Sequence, residues 1–142
     1  MSNYKDPNRN VGSQSETPRI KYQDDNILIN GYQNFIINKK TRQIIFLSKN
    51  KKFSYISDLF HDLNKNNNCN SVVDIGCSSG LSSFIAFNQN FKHIVSLDHD
   101  IEYINTLGII KEKCNITNIN EKKFSFGNKI DEKFDVVFCG AI

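Results

Sequence analysis

The chain has 142 residues, of which 39% are hydrophobic and 23% are charged. This composition is typical of one folded domain and argues against a wholly disordered or fibrous protein. The net charge of +3, without a dense basic block, is only weak support for a nucleic-acid partner. Because no run of about 18 apolar residues occurs and the N-terminal residues lack an apolar segment, we expect neither a membrane span nor an export signal.

The first third of the chain divides into two segments. Residues 1–24 are polar, contain both prolines and show no periodicity, so we expect a disordered tail. Residues 25–50 contain three short apolar runs, at 27–29, 35–37 and 44–47, which are separated by turn-forming sequences. This pattern predicts a small β meander of two or three strands.

Residues 51–142 are predicted to form the main domain. Apolar residues three or four apart predict a helix over 52–65. After it, strand-like and helix-like segments alternate, with a helix at 81–88 and another that Asp100 is expected to cap. The predicted strands are 71–75, 93–97, 122–126 and 134–139. The fold class is therefore α/β, a Rossmann-like open parallel sheet in the order 3-2-1-4, preceded by the meander and a helix.

The segment between the first strand and its helix carries the most chemical information. It reads Asp74-Ile75-Gly76-Cys77-Ser78-Ser79-Gly80-Leu81. A dinucleotide fingerprint would need glycine where Ser78 and Leu81 stand, and the Gly-Lys-Ser/Thr end of a Walker A loop is absent. An acid at the strand end also disfavours a phosphate and favours a cationic ligand.

This segment resembles motif I of class I S-adenosylmethionine-dependent methyltransferases, Asp-x-Gly-x-(Gly/Ser)-x-Gly, with Ser78 in place of the middle glycine. The resemblance implies that S-adenosylmethionine is the cofactor. It also implies that the segment contributes cofactor-binding residues, which are Asp74, Gly76, Cys77, Ser78 and Gly80.

Three further features match the same family in the expected order. Asp98 ends the second strand about 20 residues beyond the glycine turn, where a ribose-binding acid belongs. By resemblance, His99 would lie beside the adenine, and Asn128 would replace an Asp that contacts the adenine amino group. Residues 133–140 are similar to the family's fourth strand.

The chain stops after this fourth strand, whereas the family's sheet normally has seven. We therefore expect a truncated protein, the cofactor-binding half of a methyltransferase, that is inactive alone. No catalytic residue is assigned. The acceptor (a small molecule, a nucleic acid or a protein) and the oligomeric state stay open. Four cysteines without an export signal indicate free thiols in a reducing compartment and hence a cytoplasmic location, and the absence of a C-x-x-C pair argues against a metal site.

Two alternatives to a methyltransferase remain. A non-catalytic remnant or interaction protein would keep the fold without turnover, which the apparent loss of the C-terminal strands would favour. An oxidoreductase with a nucleotide cofactor would use the same architecture, but the failed glycine pattern disfavours it.

Overall fold

The computed structural model describes residues 17–45, 51–125 and 127–140 of the chain. They form eight strands and three helices in two four-stranded sheets. The strands are β1 Arg19–Gln23, β2 Asn26–Asn30, β3 Phe35–Asn38, β4 Ile44–Ile45, β5 Ser71–Ile75, β6 His93–Asp98, β7 Ile119–Lys123 and β8 Val136–Phe138. The helices are α1 Lys51–Asn67, α2 Leu81–Asn88 and α3 Ile101–Lys113.

The main sheet is parallel, with the strand order β7-β6-β5-β8. Counted within this sheet the order is 3-2-1-4, so the predicted α/β class and topology are confirmed. β5 is central, and Val73 lies opposite Val95 on one side and Val137 on the other. Asp100 caps α3 as expected, because its side chain accepts a hydrogen bond from the Glu102 amide. None of the helices in the described ranges is long and apolar enough to cross a membrane.

The predicted third strand, 122–126, is displaced, since the strand forms at Ile119–Lys123. Its only buried residue is Ile119, which lies opposite Ile94, and the rest of this edge strand is polar. The apolar residues around Phe124 do not mark the strand, because an edge strand is positioned by backbone pairing with its neighbour more than by apolar side chains. Phe126 lies outside the described residues. The fourth strand is also shorter than predicted, at Val136–Phe138.

The meander has four strands in the order β1-β2-β3-β4. Its first strand, Arg19–Gln23, was assigned to a disordered tail, and that assignment is wrong for these residues. They pair antiparallel with β2 along their whole length, although only Ile20 among them is partly buried. Such a polar edge strand leaves no apolar signal in the sequence. Residues 1–16 and 46–50, the latter including the end of the predicted third run, lie outside the described residues.

The meander and the helices share one hydrophobic core. Its buried residues include Ile37 from β3, Phe60 from α1 and Phe84 from α2. The rings of Phe35 and Phe84 lie 6.0 Å apart. The backbone amide of Ile44 donates a 2.8 Å hydrogen bond to the Asn88 side chain. The meander therefore packs directly against the helices, on the side of the main sheet that they cover.

The other face of the main sheet is covered differently. A second cluster contains Val73, Val95 and Leu97, against which Phe124 and Phe134 pack. These two aromatic residues come from the connection between β7 and β8, whose described residues form neither helix nor strand. An irregular crossover therefore covers this face, where a helix would be usual in a parallel α/β sheet.

Asp135 joins the starts of β5 and β8. Its carboxylate accepts hydrogen bonds from the amides of Asn70 (2.7 Å) and Ser71 (3.1 Å), while its own amide donates to the Ser71 hydroxyl. The two backbone hydrogen bonds lower the pKa of Asp135 below its ordinary value of 3.8. The ionised carboxylate therefore stabilises the folded state above that ordinary pKa, and the stabilisation is lost as the pH falls through the lowered one.

We expect the replacement Asp135→Asn to lower the free energy of unfolding at neutral pH, and this deficit to shrink as the pH falls below 3.8. Urea unfolding of both proteins across that pH range measures the effect. Asp131→Asn is the matched control, because Asp131 is exposed in the same crossover. A deficit of equal size for both variants would contradict the assigned role of Asp135.

Candidate cofactor-binding site

The loop between β5 and α2 is held on the end of β6. The backbone amides of Gly76 and Cys77 both donate to the Leu97 carbonyl, at 2.8 and 2.9 Å. The backbone turns through left-handed conformations at Gly76 (φ 74°), Ser78 (φ 53°) and Gly80 (φ 99°). Glycine adopts these angles at little cost, whereas a serine there is strained. Ser78, which stands in place of the middle glycine of motif I, thus adopts a left-handed backbone conformation that favours glycine.

Asp98 lies at the same edge of the sheet and contacts this loop. Its Oδ2 accepts a 2.8 Å hydrogen bond from the Ser78 amide, and its Oδ1 accepts a 2.9 Å bond from the Asp100 amide. A carboxylate offers about four acceptor positions, so two further donors can be accommodated. The His99 ring is half-exposed, with Nδ1 3.6 Å from Oδ1 of Asp98. The structure therefore brings Asp98, His99 and the loop together.

The Asp74 carboxyl group, by contrast, points into the protein. It is buried and accepts a 2.7 Å hydrogen bond from the Ser83 hydroxyl of α2, which in turn contacts the Ser96 hydroxyl of β6. Burial raises the pKa of Asp74 from 3.8 to about 7; the Ser83 hydrogen bond opposes this, and the nearby Asp98 charge adds to it. In this arrangement Asp74 braces the first turn of α2, and its contact with a cationic ligand stays a prediction.

Cys77 and Gly80 serve the packing of the loop. The Cys77 side chain is fully buried in the main core, and burial, followed by the charges of Asp74 and Asp98, raises the pKa of its thiol well above 9.0. A side chain added at Gly80 would place its Cβ 2.7 Å from Cδ1 of Leu107 on α3. The backbone groups of both residues are also engaged within the protein, since the Gly80 amide donates to the Cys77 carbonyl, and a contact of either residue with a cofactor stays a prediction.

Asn128 closes a local turn. Its side-chain oxygen accepts a 2.7 Å hydrogen bond from the Ser125 amide, and its own amide donates to the Ser125 carbonyl. The oxygen that the family resemblance assigns to adenine is thus engaged within the turn. A contact between Asn128 and adenine stays a prediction.

Two hydroxyl groups of the loop lack hydrogen bonds. The Oγ atoms of Ser78 and Ser79 are buried and have no partner in the part of the chain that the structure describes. Leaving a buried polar group unsatisfied costs about 1–3 kcal/mol, so buried hydroxyls normally have a partner. This loop therefore fits a ligand with polar groups. Within the same described ranges, no cluster of three or more His, Cys, Asp or Glu could hold a metal ion.

Three residues that the sequence analysis missed contribute to the site. Gln33, in the turn between β2 and β3, accepts a 3.1 Å hydrogen bond from the Leu81 amide at the start of α2. No local pattern signals this contact across 48 positions. Ser96 was detectable, because it is a polar residue between the buried apolar residues Val95 and Leu97, whereas Ser83 directly follows another serine and gives no such signal.

Comparison with known proteins gives structural matches only. No family model and no curated protein sequence matches the chain. Methyltransferase PaMTH1 of Podospora anserina, solved with bound SAH (S-adenosylhomocysteine), is 19% identical with a TM-score of 0.54; the match covers 62% of this chain and 39% of PaMTH1. The ribosomal protein L11 methylase of Lactobacillus delbrueckii subsp. bulgaricus is 21% identical with a TM-score of 0.52 and coverages of 63% and 46%.

A third match is coclaurine N-methyltransferase, solved with N-methylheliamine and SAH, at 13% identity and a TM-score of 0.55. The match covers 67% of this chain and 30% of that enzyme. The chain thus spans less than half the length of the methyltransferases it matches. Over that part it has the Rossmann-like fold of S-adenosylmethionine-dependent methyltransferases, as motif I predicted.

Proposed function

We propose that the chain is the cofactor-binding part of an S-adenosylmethionine-dependent methyltransferase. The observation that carries this proposal is the carboxylate of Asp98, which is hydrogen-bonded to the Ser78 amide at the strand ends and keeps acceptor capacity for a ligand. Ligands bind at this edge in open α/β sheets. Two of the matched methyltransferases, PaMTH1 and coclaurine N-methyltransferase, were solved with SAH, which supports the choice of cofactor.

Four residues of the site have side-chain roles in this proposal. Asp98 accepts hydrogen bonds from the two ribose hydroxyls, and His99 lies beside the adenine. The unsatisfied hydroxyls of Ser78 and Ser79 bind polar groups of the methionine portion. The bound cofactor would supply an electrophilic methyl group, whose transfer depends mainly on proximity and orientation. We assign neither an acceptor nor a catalytic residue.

We also propose that the protein acts in the cytoplasm. All four cysteines are free, which suits a reducing compartment.

Calorimetric titration with S-adenosylmethionine and with SAH tests the cofactor proposal. We expect the replacement Asp98→Ala to weaken binding by about 1–3 kcal/mol, because hydrogen bonds to a charged group are lost. That corresponds to an increase in Kd of about 5- to 150-fold. Asp131→Ala, which removes the same charge from an exposed position in the crossover, should leave Kd unchanged.

Because Asp98 also holds the loop, Asp98→Asn is a second variant, one that retains an acceptor for the Ser78 amide. It should weaken binding less than Asp98→Ala. An unchanged Kd for Asp98→Ala would exclude Asp98 from the site. A folded protein that binds neither compound would overturn the cofactor proposal, and binding of a nicotinamide dinucleotide in their place would favour an oxidoreductase.

A further inference from the structure

A second concave site lies where the turn between β3 and β4 meets the end of α3. It is an open basin of about 520 Å³. It is lined by Lys39, Lys40, Arg42, Lys113, Cys114 and Asn115. Four of these six residues are cationic, and none of the described lining residues is acidic. A volume of this size falls within the range of pockets for small ligands.

Most of this positive charge has no counter-charge among the residues that the structure describes. Lys40 forms an ion pair with Asp25 at 3.3 Å, in which both side chains are exposed. The other three cations have no carboxylate within 4.0 Å among the residues that the structure describes. Like charges that share one depression repel each other, and an anion placed between them would relieve that repulsion.

Aromatic rings support two of the cations. The Arg42 guanidinium lies 5.4 Å from the centroid of the Phe87 ring, and the Lys113 ammonium lies 5.8 Å from that of Tyr22. Cation–π contacts of this kind leave the N–H donors free, because the attraction acts through the ring face. The ring contacts thus hold the Arg42 and Lys113 side chains in place, and their N–H groups stay available to a ligand.

The basin is remote from the candidate cofactor site. α3 begins beside Asp98, at the carboxyl ends of the parallel strands. It runs back toward their amino ends and finishes at Lys113. A helix of 13 residues is about 20 Å long. One small ligand cannot occupy both places, so the basin is a separate site.

We propose that this basin binds an anion that carries adjacent phosphate groups. Such a ligand offers several negative charges and acceptor oxygens within a few ångströms, which matches cations converging from two chain segments. Phosphate oxygens form strong charge-assisted hydrogen bonds with lysine and arginine. The proposal does not depend on the cofactor assignment, since it rests on different residues.

Titration calorimetry with inorganic tripolyphosphate at low salt tests this proposal. The double variant Lys39→Gln/Lys113→Gln removes one cation from each side of the basin and leaves Arg42 in place. The control, Lys129→Gln/Lys133→Gln, removes the same charge from exposed positions of the crossover. We expect the basin variant to bind at least tenfold more weakly and the control to stay within twofold of the unaltered protein.

Thermal unfolding of both double variants verifies that they are folded. Equal weakening in the two variants would show a nonspecific response to net charge and would overturn the proposal, as would the absence of tripolyphosphate binding to the unaltered protein. A short single-stranded oligonucleotide distinguishes the source of the phosphates. If the oligonucleotide binds and the basin variant weakens its binding as it does that of tripolyphosphate, the basin accepts a nucleic-acid backbone; if the oligonucleotide does not bind, the ligand is a free phosphate compound.

Discussion

The replacement Asp74→Asn will raise the free energy of unfolding by about 4 kcal/mol at pH 8 and change it little at pH 4. The buried carboxyl group keeps its proton in the folded state up to a pKa of about 7, whereas in the unfolded chain it ionises near 3.8. Between these values the folded state binds more protons, so the stability falls as the pH rises. Each pKa unit corresponds to about 1.4 kcal/mol, and asparagine has no charge to bury.

Urea unfolding of the two proteins at a series of pH values measures this effect. The difference between them should grow from pH 4 to pH 7 and then level off. Asp135→Asn provides a contrast of opposite sign, because the pKa of Asp135 is lowered and its ionised form stabilises the fold. If Asp74→Asn were less stable than the unaltered protein at pH 8, the hydrogen bonds to ionised Asp74 would outweigh its burial, and the raised pKa would be refuted.

The replacement Gly80→Ala will lower the free energy of unfolding by about 3 kcal/mol. The new Cβ would lie 2.7 Å from Cδ1 and 2.9 Å from Cγ of Leu107, a side chain that is fully buried. Overpacking of this kind costs about 1–3 kcal/mol. The positive φ of 99° adds about 1–2 kcal/mol for a residue with a side chain.

Gly127→Ala separates these two contributions. Gly127 has a similar φ of 94°, but a Cβ there would have no atom within 4 Å. We expect its replacement to cost only the backbone contribution, about 1–2 kcal/mol. The difference between the two variants in chemical unfolding then measures the contact between the loop and α3. Equal losses would mean that Leu107 moves away without cost.

The parts of the fold that depend on local patterns were predictable. β5 and α2 form at the predicted 71–75 and 81–88, because an apolar strand, a glycine-containing turn and an apolar helix follow each other without ambiguity. The sequence prediction missed β1 and displaced β7, because both are polar edge strands. Their positions follow from hydrogen bonding to a neighbouring strand, which leaves little trace in hydrophobicity.

The candidate site was predictable in its location but not in its internal contacts. Asp98 and the loop had to lie together, because both follow the ends of adjacent parallel strands. The direction of the Asp74 side chain depends on the packing of α2 against β6. That packing places the Ser83 hydroxyl beside both Asp74 and Ser96, and it is seen only in the structure. Roles in cofactor binding stay predictions for all of these residues.

The central position of β5 has a consequence for the order of folding. The hydrogen bond that fixes the loop, between Ser78 and Asp98, spans 20 positions, whereas the hydrogen bonds that join Asp135 to Ser71 span 64. Closing the longer loop costs more chain entropy, and non-local pairing is slow. We therefore expect the β5–α2–β6 unit to assemble before β8 docks on its far side.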